Sequence, residues 1–214
     1  MRGDSTSGNM RDAIEVFSEW AEKGKDLGME RGHAPAVGEI LNTAFAELDC
    51  DAFHAIDAGC GNGWVVRRLN EMKDCQSAIG IDGAGAMIEK AKEIDSQGMY
   101  IHANLESWKP EKPVDLIHSM EVLYYLDDIP QFLESVNRDW LRKGGVFAFG
   151  IDHYLENEDC HGWSEKVGTE MAMHSENEWI EMVQNAGFEV VQMFRAAPRE
   201  GWVGTLAIVA RKRN

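Results

Sequence analysis

The stretch 55-AIDAGCGNGW-64 sets an aspartate and three alternating glycines directly after a short apolar run. Glycines at that density bring a backbone close to a bound group, usually a nucleotide, through turns that side chains disfavour. The preceding residues, FHAIDA (53–58), are strand-like, and GWVVRRLNEM (63–72) continues with helical spacing. The glycines therefore lie between the carboxyl end of a strand and the amino end of a helix. In an open α/β sheet ligands bind at that end of the strands, and the free N–H groups at the helix start face them.

On either side of this turn the pattern stays regular. SAIGID (77–82), MYIHA (99–103), VDLIHSM (114–120) and GGVFAFGI (144–151) read as further strands. AGAMIEKAKEI, IPQFLESVNRDWL and ENEWIEMVQNAGF read as the helices between and after them. EVVQMF and GTLAIVAR follow one another without a helix, which predicts an antiparallel hairpin at one sheet edge. The expected fold is α/β, a doubly wound and mostly parallel seven-stranded sheet with an antiparallel last strand and an N-terminal helical cap. In that cap one helix starts after Asp12, with Ile14, Phe17, Trp20 and Ala21 on one face. A second is expected from Pro35, a good first-turn residue, after the glycine-containing stretch KGKDLGMERGH. The polar MRGDSTSGNM (1–10) is expected to be a frayed terminus.

Residues 1–214 read as a single domain. Within it, 1–50 form the cap, 51–151 the core, 152–175 a covering insertion, and 176–214 the last helix and hairpin. The insertion is polar and longer than ordinary connections, and it carries Tyr154 and Trp163 as candidate substrate contacts. A formal charge of −16, from 37 acids against 21 bases, argues against nucleic acid as a partner. Four scattered cysteines without a CxxC pair, and no leader-like or membrane-spanning run, lead to the expectation of a cytoplasmic protein.

Which nucleotide the turn holds depends on its neighbours. A dinucleotide site asks for GxGxxG, whereas this stretch has GxGxG followed by the bulky Trp64. Asp57, two residues before the glycines, repels a pyrophosphate but suits an ammonium group. Asp82 ends the second strand 19 residues after Gly63, where an acid meets ribose hydroxyls. A nucleoside with a ribose, a cationic amino-acid tail and no phosphate fits these features, and S-adenosylmethionine is such a molecule. Two rivals stay open: an NAD-dependent oxidoreductase, and a binding module that keeps the pocket without the chemistry.

Over residues 53–211 the motifs resemble, in order, those of class I S-adenosylmethionine-dependent methyltransferases of the small-molecule type. The resemblance implies that Gly59, Cys60, Gly61 and Gly83 bind the cofactor with Asp82 at the ribose, and Asp57 is the expected anchor for its amino-acid tail. IGIDGAGAMIEKAKE is similar to the second motif, placing Met87 under the adenine, and HANLESW brings Asn104 and Leu105 to the adenine edge. VDLIHSMEVLYYLDD is similar to the fourth-strand motif, with Ser119 near the methionine part. Trp20, Met29 and His33 are the candidates to cover the cofactor from the cap.

Methyl transfer is an in-line displacement that needs alignment and dryness, and a base only where the acceptor carries a proton. Candidate catalytic residues are Glu121 and Tyr125 after the fourth strand and His33 in the cap, with Tyr124 a candidate substrate contact. The alternatives are that the tyrosines pack the next helix and that His33 caps a helix. Asp152, His153, Cys160 and His161 lie close in sequence but match no zinc spacing, so no metal is expected. The acceptor is expected to be a small molecule.

Overall fold

The structure, a computed structural model, describes residues 10–213; the expectation for the terminus applies mostly to residues outside that range. Seven strands form one sheet in the order β3-β2-β1-β4-β5-β7-β6. They are β1 (Phe53–Ala58), β2 (Cys75–Asp82), β3 (Met99–His102), β4 (Val114–Met120), β5 (Leu141–Ile151), β6 (Phe188–Ala196) and β7 (Thr205–Lys212). β1 to β5 run parallel, and β7 is antiparallel to both β5 and β6. This is the expected doubly wound sheet, with the C-terminal hairpin folded so that its second strand lies inside. The strand order reverses between β1 and β4, the place where such sheets open a crevice.

Helices cover both faces because each turns an apolar stripe to the sheet. On one face lie α2 (Asp26–Ala46), α3 (Trp64–Asn70) and α4 (Gly85–Ile94), burying Val37, Ile40, Val66, Leu69 and Ile88. The other carries α5 (Ile129–Ser135), continued by a π-turn to Trp140, and α7 (Glu176–Asn185), burying Phe132, Trp140 and Trp179. The cap helix α1 (Ala13–Glu22) starts where Asp12 accepts a hydrogen bond from the Ile14 N–H at 2.7 Å, and packs Phe17, Trp20 and Ala21 on Ala84 and Met87. Residues 152–175 fold only in part, with α6 (Trp163–Val167) their one α-helix. Among the described residues no helix is long and apolar enough to cross a membrane.

α2 departs from the sequence reading. It starts at Asp26 and carries Pro35 inside it rather than at its first turn. Propensity disfavours Gly28, Gly32 and Pro35 in one helix, and a tertiary anchor outweighs it. Asp26 is buried, 2.5 Å from Lys90 of α4 and 2.9 Å from the Asn62 amide in the glycine turn. Burial alone would raise the Asp26 carboxyl, but Lys90 and Asn62 together bring it below the ordinary value. Its contribution is therefore complete above about pH 4 and is lost as pH falls through the lower native value. Asp26→Ala is expected to cost about 1–3 kcal/mol, since it strands the buried partners. Thermal melts should show that difference near neutral pH and a smaller one in acid.

Candidate active site

The glycine turn is held by the strand beside it. Gly59 and Cys60 donate their N–H groups to the Ile81 carbonyl at 2.7 and 3.0 Å, and Gly61 donates to the Asp82 carboxylate at 2.8 Å. The other Asp82 oxygen accepts the Ala84 N–H at 2.7 Å. One carboxylate thus ties the turn after β1 to the start of α4. Gly59 needs its φ of +78°, and a Cβ there would lie 2.1 Å from Val122 Cγ2. Gly61 differs: at φ +51° its Cβ position has no atom within 4 Å and looks into open space.

That space is a pocket of about 480 Å³, within the range of small-ligand sites. Of the residues singled out from sequence, Gly59, Gly61, Asp82, Gly83, Met87, Asn104, Leu105, Glu121 and Tyr125 line it. Asn104 uses its side-chain oxygen to accept the Glu106 N–H at 2.8 Å, which fixes the turn after β3. Phe17 of α1 packs edge-on against Tyr125, with centroids 5.1 Å apart.

Other expected contacts lie outside the pocket. Asp57 is buried, with one carboxylate oxygen 2.7 Å from His118 Nδ1 on the neighbouring strand, and it is not among the residues lining the pocket. Ser119 is buried and donates to the Ala58 carbonyl at 2.8 Å. The Cys60 thiol is buried too, and burial pushes it well above its usual pKa. Trp20 packs on Phe17 within the cap. Trp64, the first residue of α3, packs half-buried against the core and does not line the pocket. Tyr154 is fully buried, donating to the Gly204 carbonyl at 3.1 Å, and Trp163 stacks on Trp202; neither lines the pocket.

Tyr124 is buried behind Glu121 and donates to it at 2.6 Å. Glu121 holds a φ of +59°, which non-glycine residues seldom adopt. Its other carboxylate oxygen accepts the Asp152 main-chain N–H. Burial, with the Asp152 charge next, raises the Glu121 carboxyl well above its usual range. His33 reaches the same corner from α2: one ligand atom each from His33, Glu121 and Asp152 lies within 4.8 Å of the others. Burial pushes the His33 ring down to about 4, so it is neutral at physiological pH. The grouping expected to tempt a metal does not form. His153 instead bonds the Ala172 carbonyl, and Cys160 the carbonyls of Tyr154 and Asn157.

Met29, a candidate to cover the cofactor, lines the pocket, while the sequence reading missed the wall given by Arg11 and Asp12 from the cap and by Thr169 and Glu170 from the 152–175 segment. The Arg11 N–H donates to the Gly168 carbonyl at 2.9 Å, and Thr169 Oγ1 donates to the Arg11 carbonyl at 2.8 Å. The two covering segments therefore join beside the pocket. Only the length of the insertion hinted at this. The wall carries six acids, Asp12, Asp82, Glu106, Glu121, Asp127 and Glu170, against one base. That base, Arg11, is paired with Glu19 at 2.7 Å and lies 3.9 Å from Glu15.

Residues 6–193 match a family described as a methyltransferase domain. Among curated relatives, trans-aconitate 2-methyltransferase of Azoarcus sp. (strain BH72) is 31% identical over 124 residues, covering 55% of this chain and 49% of the relative. The chain spans about half the length of the first curated relatives it matches. Among solved structures, a chain from the complex of the Haloferax volcanii Trm112 methyltransferase activator with a methyltransferase superposes with a TM-score of 0.82 at 25% identity. That match covers 95% of this chain and 99% of the other. The N-methyltransferase NodS from Bradyrhizobium japonicum WM9, solved with S-adenosyl-L-homocysteine, has a TM-score of 0.64 at 17% identity, covering 83% and 85%. At that identity the likeness bears on the fold.

Proposed function

This chain belongs to the methyltransferase domain family, and from that membership we propose that it transfers a methyl group from S-adenosylmethionine to a small-molecule acceptor. The observation that carries the reading is the Asp82 carboxylate, which faces the pocket while bonding the Gly61 and Ala84 N–H groups, beside a Gly61 whose Cβ position is open. Its remaining lone pairs suit the two ribose hydroxyls. Met87 and Leu105 offer apolar faces to an adenine, and Asn104 a polar edge. When bound, the donor supplies a methyl carbon already activated by its positive sulfur. The protein's part is to align the acceptor and exclude water, a task for Glu121, Tyr125 and Phe17.

Charge supports this donor over a nicotinamide dinucleotide. Six acids against one paired base repel a pyrophosphate and tolerate a cationic amino-acid tail. The same wall bears on the acceptor. The curated relatives are named for trans-aconitate, a tricarboxylate, whose charge this pocket opposes. The activity is assigned to the cytoplasm, where free thiols such as Cys50, Cys60, Cys75 and Cys160 stay reduced.

Calorimetric titration separates the readings. S-adenosylmethionine and S-adenosylhomocysteine are expected to bind with Kd on the order of 1–100 µM, about 5–8 kcal/mol, and NAD to give no heat. Tight NAD binding without binding of the sulfonium donor would reverse the assignment. The titrations belong with and without a Trm112-type activator, since a chain from such a complex is similar over almost its whole length.

A further inference from the structure

Between Gly61 and Gly63, both in left-handed backbone at φ +51° and +78°, stands Asn62, 3% exposed and outside the pocket wall. A glycine on each side leaves the turn a wide choice of backbone conformations, so its shape has to come from contacts. Asn62 supplies them on two sides. Its Oδ1 accepts the Trp64 N–H at 3.2 Å and its carbonyl accepts from Arg67 Nη1 at 2.6 Å, both in α3. Its Nδ2 donates across to α2, to Asp26 at 2.9 Å and to Glu30 at 3.5 Å. Asp26, itself buried, accepts from Lys90 of α4 at 2.5 Å. The same Lys90 ammonium donates to the Ala21 carbonyl near the end of α1 at 3.2 Å. One connected set of contacts thus joins the glycine turn to α1, α2 and α4. Each of these puts a residue in the pocket wall: Gly61 from the turn, Phe17 from α1, Met29 from α2 and Met87 from α4.

Resting on the methyl-transfer reading above, we propose that Asn62 and Asp26 are positioning residues for the methyl donor. Their bond sets how closely the helical cap sits on the glycine turn, and through that spacing how tightly S-adenosylmethionine is held. Met29 lies one helical turn after Asp26, so tying Asp26 to the turn fixes where Met29 meets the pocket. The contact suits this task. An amide donating to a buried carboxylate is charge-assisted, and the low local dielectric strengthens it. Lys90 balances the Asp26 charge, so the anchor leaves no buried ion unpaired. Neither Asn62 nor Asp26 lines the pocket, so each acts on the donor through the elements it joins. A bond that held up the fold alone would change the melting temperature and leave the folded protein's donor affinity where it was.

The test exchanges the two side chains in the full chain. Wild type is titrated first with S-adenosylmethionine and S-adenosylhomocysteine, then Asn62→Asp, Asp26→Asn and the double variant carrying both. Asn62→Asp keeps an oxygen for the Trp64 N–H but sets a carboxylate against Asp26, and is expected to weaken both ligands about tenfold or more. Asp26→Asn, whichever way its amide turns, sets a donor against Asn62 or Lys90, and is expected to weaken them about fivefold. The double variant restores an amide–carboxylate pair with its ends exchanged, while the oxygen left at position 26 still accepts from Lys90. It is expected to return to within about threefold of wild type. Asp115→Asn is the control. Asp115 holds the His54 N–H at 2.6 Å and the Arg142 side chain near the start of β4, at the other end of that strand from Glu121. This variant is expected to lower the melting temperature with donor affinity unchanged within about twofold. Melting curves establish which variants fold, and if Asn62→Asp does not, Asp26→Asn and the exchange carry the same comparison. Three results overturn the inference. They are folded single variants that bind the donor within about twofold of wild type, an exchange that regains thermal stability without regaining affinity, or an Asp115→Asn that weakens the donor as much as they do. Failure of wild type to bind the donor strikes the underlying reading instead.

Discussion

Asp82→Ala is expected to weaken S-adenosylmethionine binding by roughly 100-fold. The side chain accepts two main-chain hydrogen bonds, from Gly61 and Ala84, that shape the ligand-facing turn. Hydrogen bonds to a charged group contribute about 1.5 kcal/mol or more each, so losing both corresponds to about 3 kcal/mol. The loss of acceptors for the ribose adds to this. Asp82→Asn keeps the shape and one acceptor oxygen and should fall between wild type and Ala. Burial, with the opposing help of the two N–H donors and a further push from Asp57, leaves the Asp82 carboxyl above its ordinary value. Donor affinity should therefore begin to fall at a higher pH than an ordinary carboxylate of about 4 implies. Calorimetry from pH 4 to 8 on wild type and both variants checks this. An Ala variant within about threefold of wild type would remove Asp82 from the site.

The second large effect is steric. Gly59→Ala places a methyl group 2.1 Å from Val122 Cγ2 and 2.9 Å from its Cγ1, at a φ of +78°. The left-handed backbone costs about 1–2 kcal/mol for alanine, and overpacking about 1–3 more. Together these lower the melting temperature by roughly 5–15 °C in a chain of this length. Adding Val122→Ala should recover about half, because it relieves the contact and leaves the backbone cost. No recovery in the double variant would mean that the backbone alone carries the penalty.

The order of strands and helices was legible because periods of 2 and 3.6 alternate cleanly from Phe53 onward, and right-handed crossovers leave few sheet orders. Pocket residues contributed by backbone-defined features were legible for the same reason. Gly59, Gly61, Asp82 and Met87 sit at strand ends and helix starts whose positions follow from the pattern. Residues whose direction depends on register were not. Asp57 and His118 are register partners on adjacent parallel strands, so one oxygen of the acid is taken up by the imidazole. Two polar residues inside apolar runs were the signal for that pair. The start of α2 was hidden because its anchors, Asn62 and Lys90, are 36 and 64 residues from Asp26. Asp152 stood in plain view beside His153 and Cys160, but its true companions come from α2 and the end of β4.

The junction of Arg11 with Gly168 and Thr169 sets how readily the cover breathes. Among the described residues two neutral hydrogen bonds cross that seam, each contributing about 1 kcal/mol net. Parting both puts an open form about 2 kcal/mol above the closed one, populated in roughly 3% of molecules. The Arg11 side chain is exposed and tied to Glu19 at the surface, so added salt slackens its grip on α1. Ionic strength therefore acts on the pocket wall through Arg11, which both lines the pocket and joins the two covering segments.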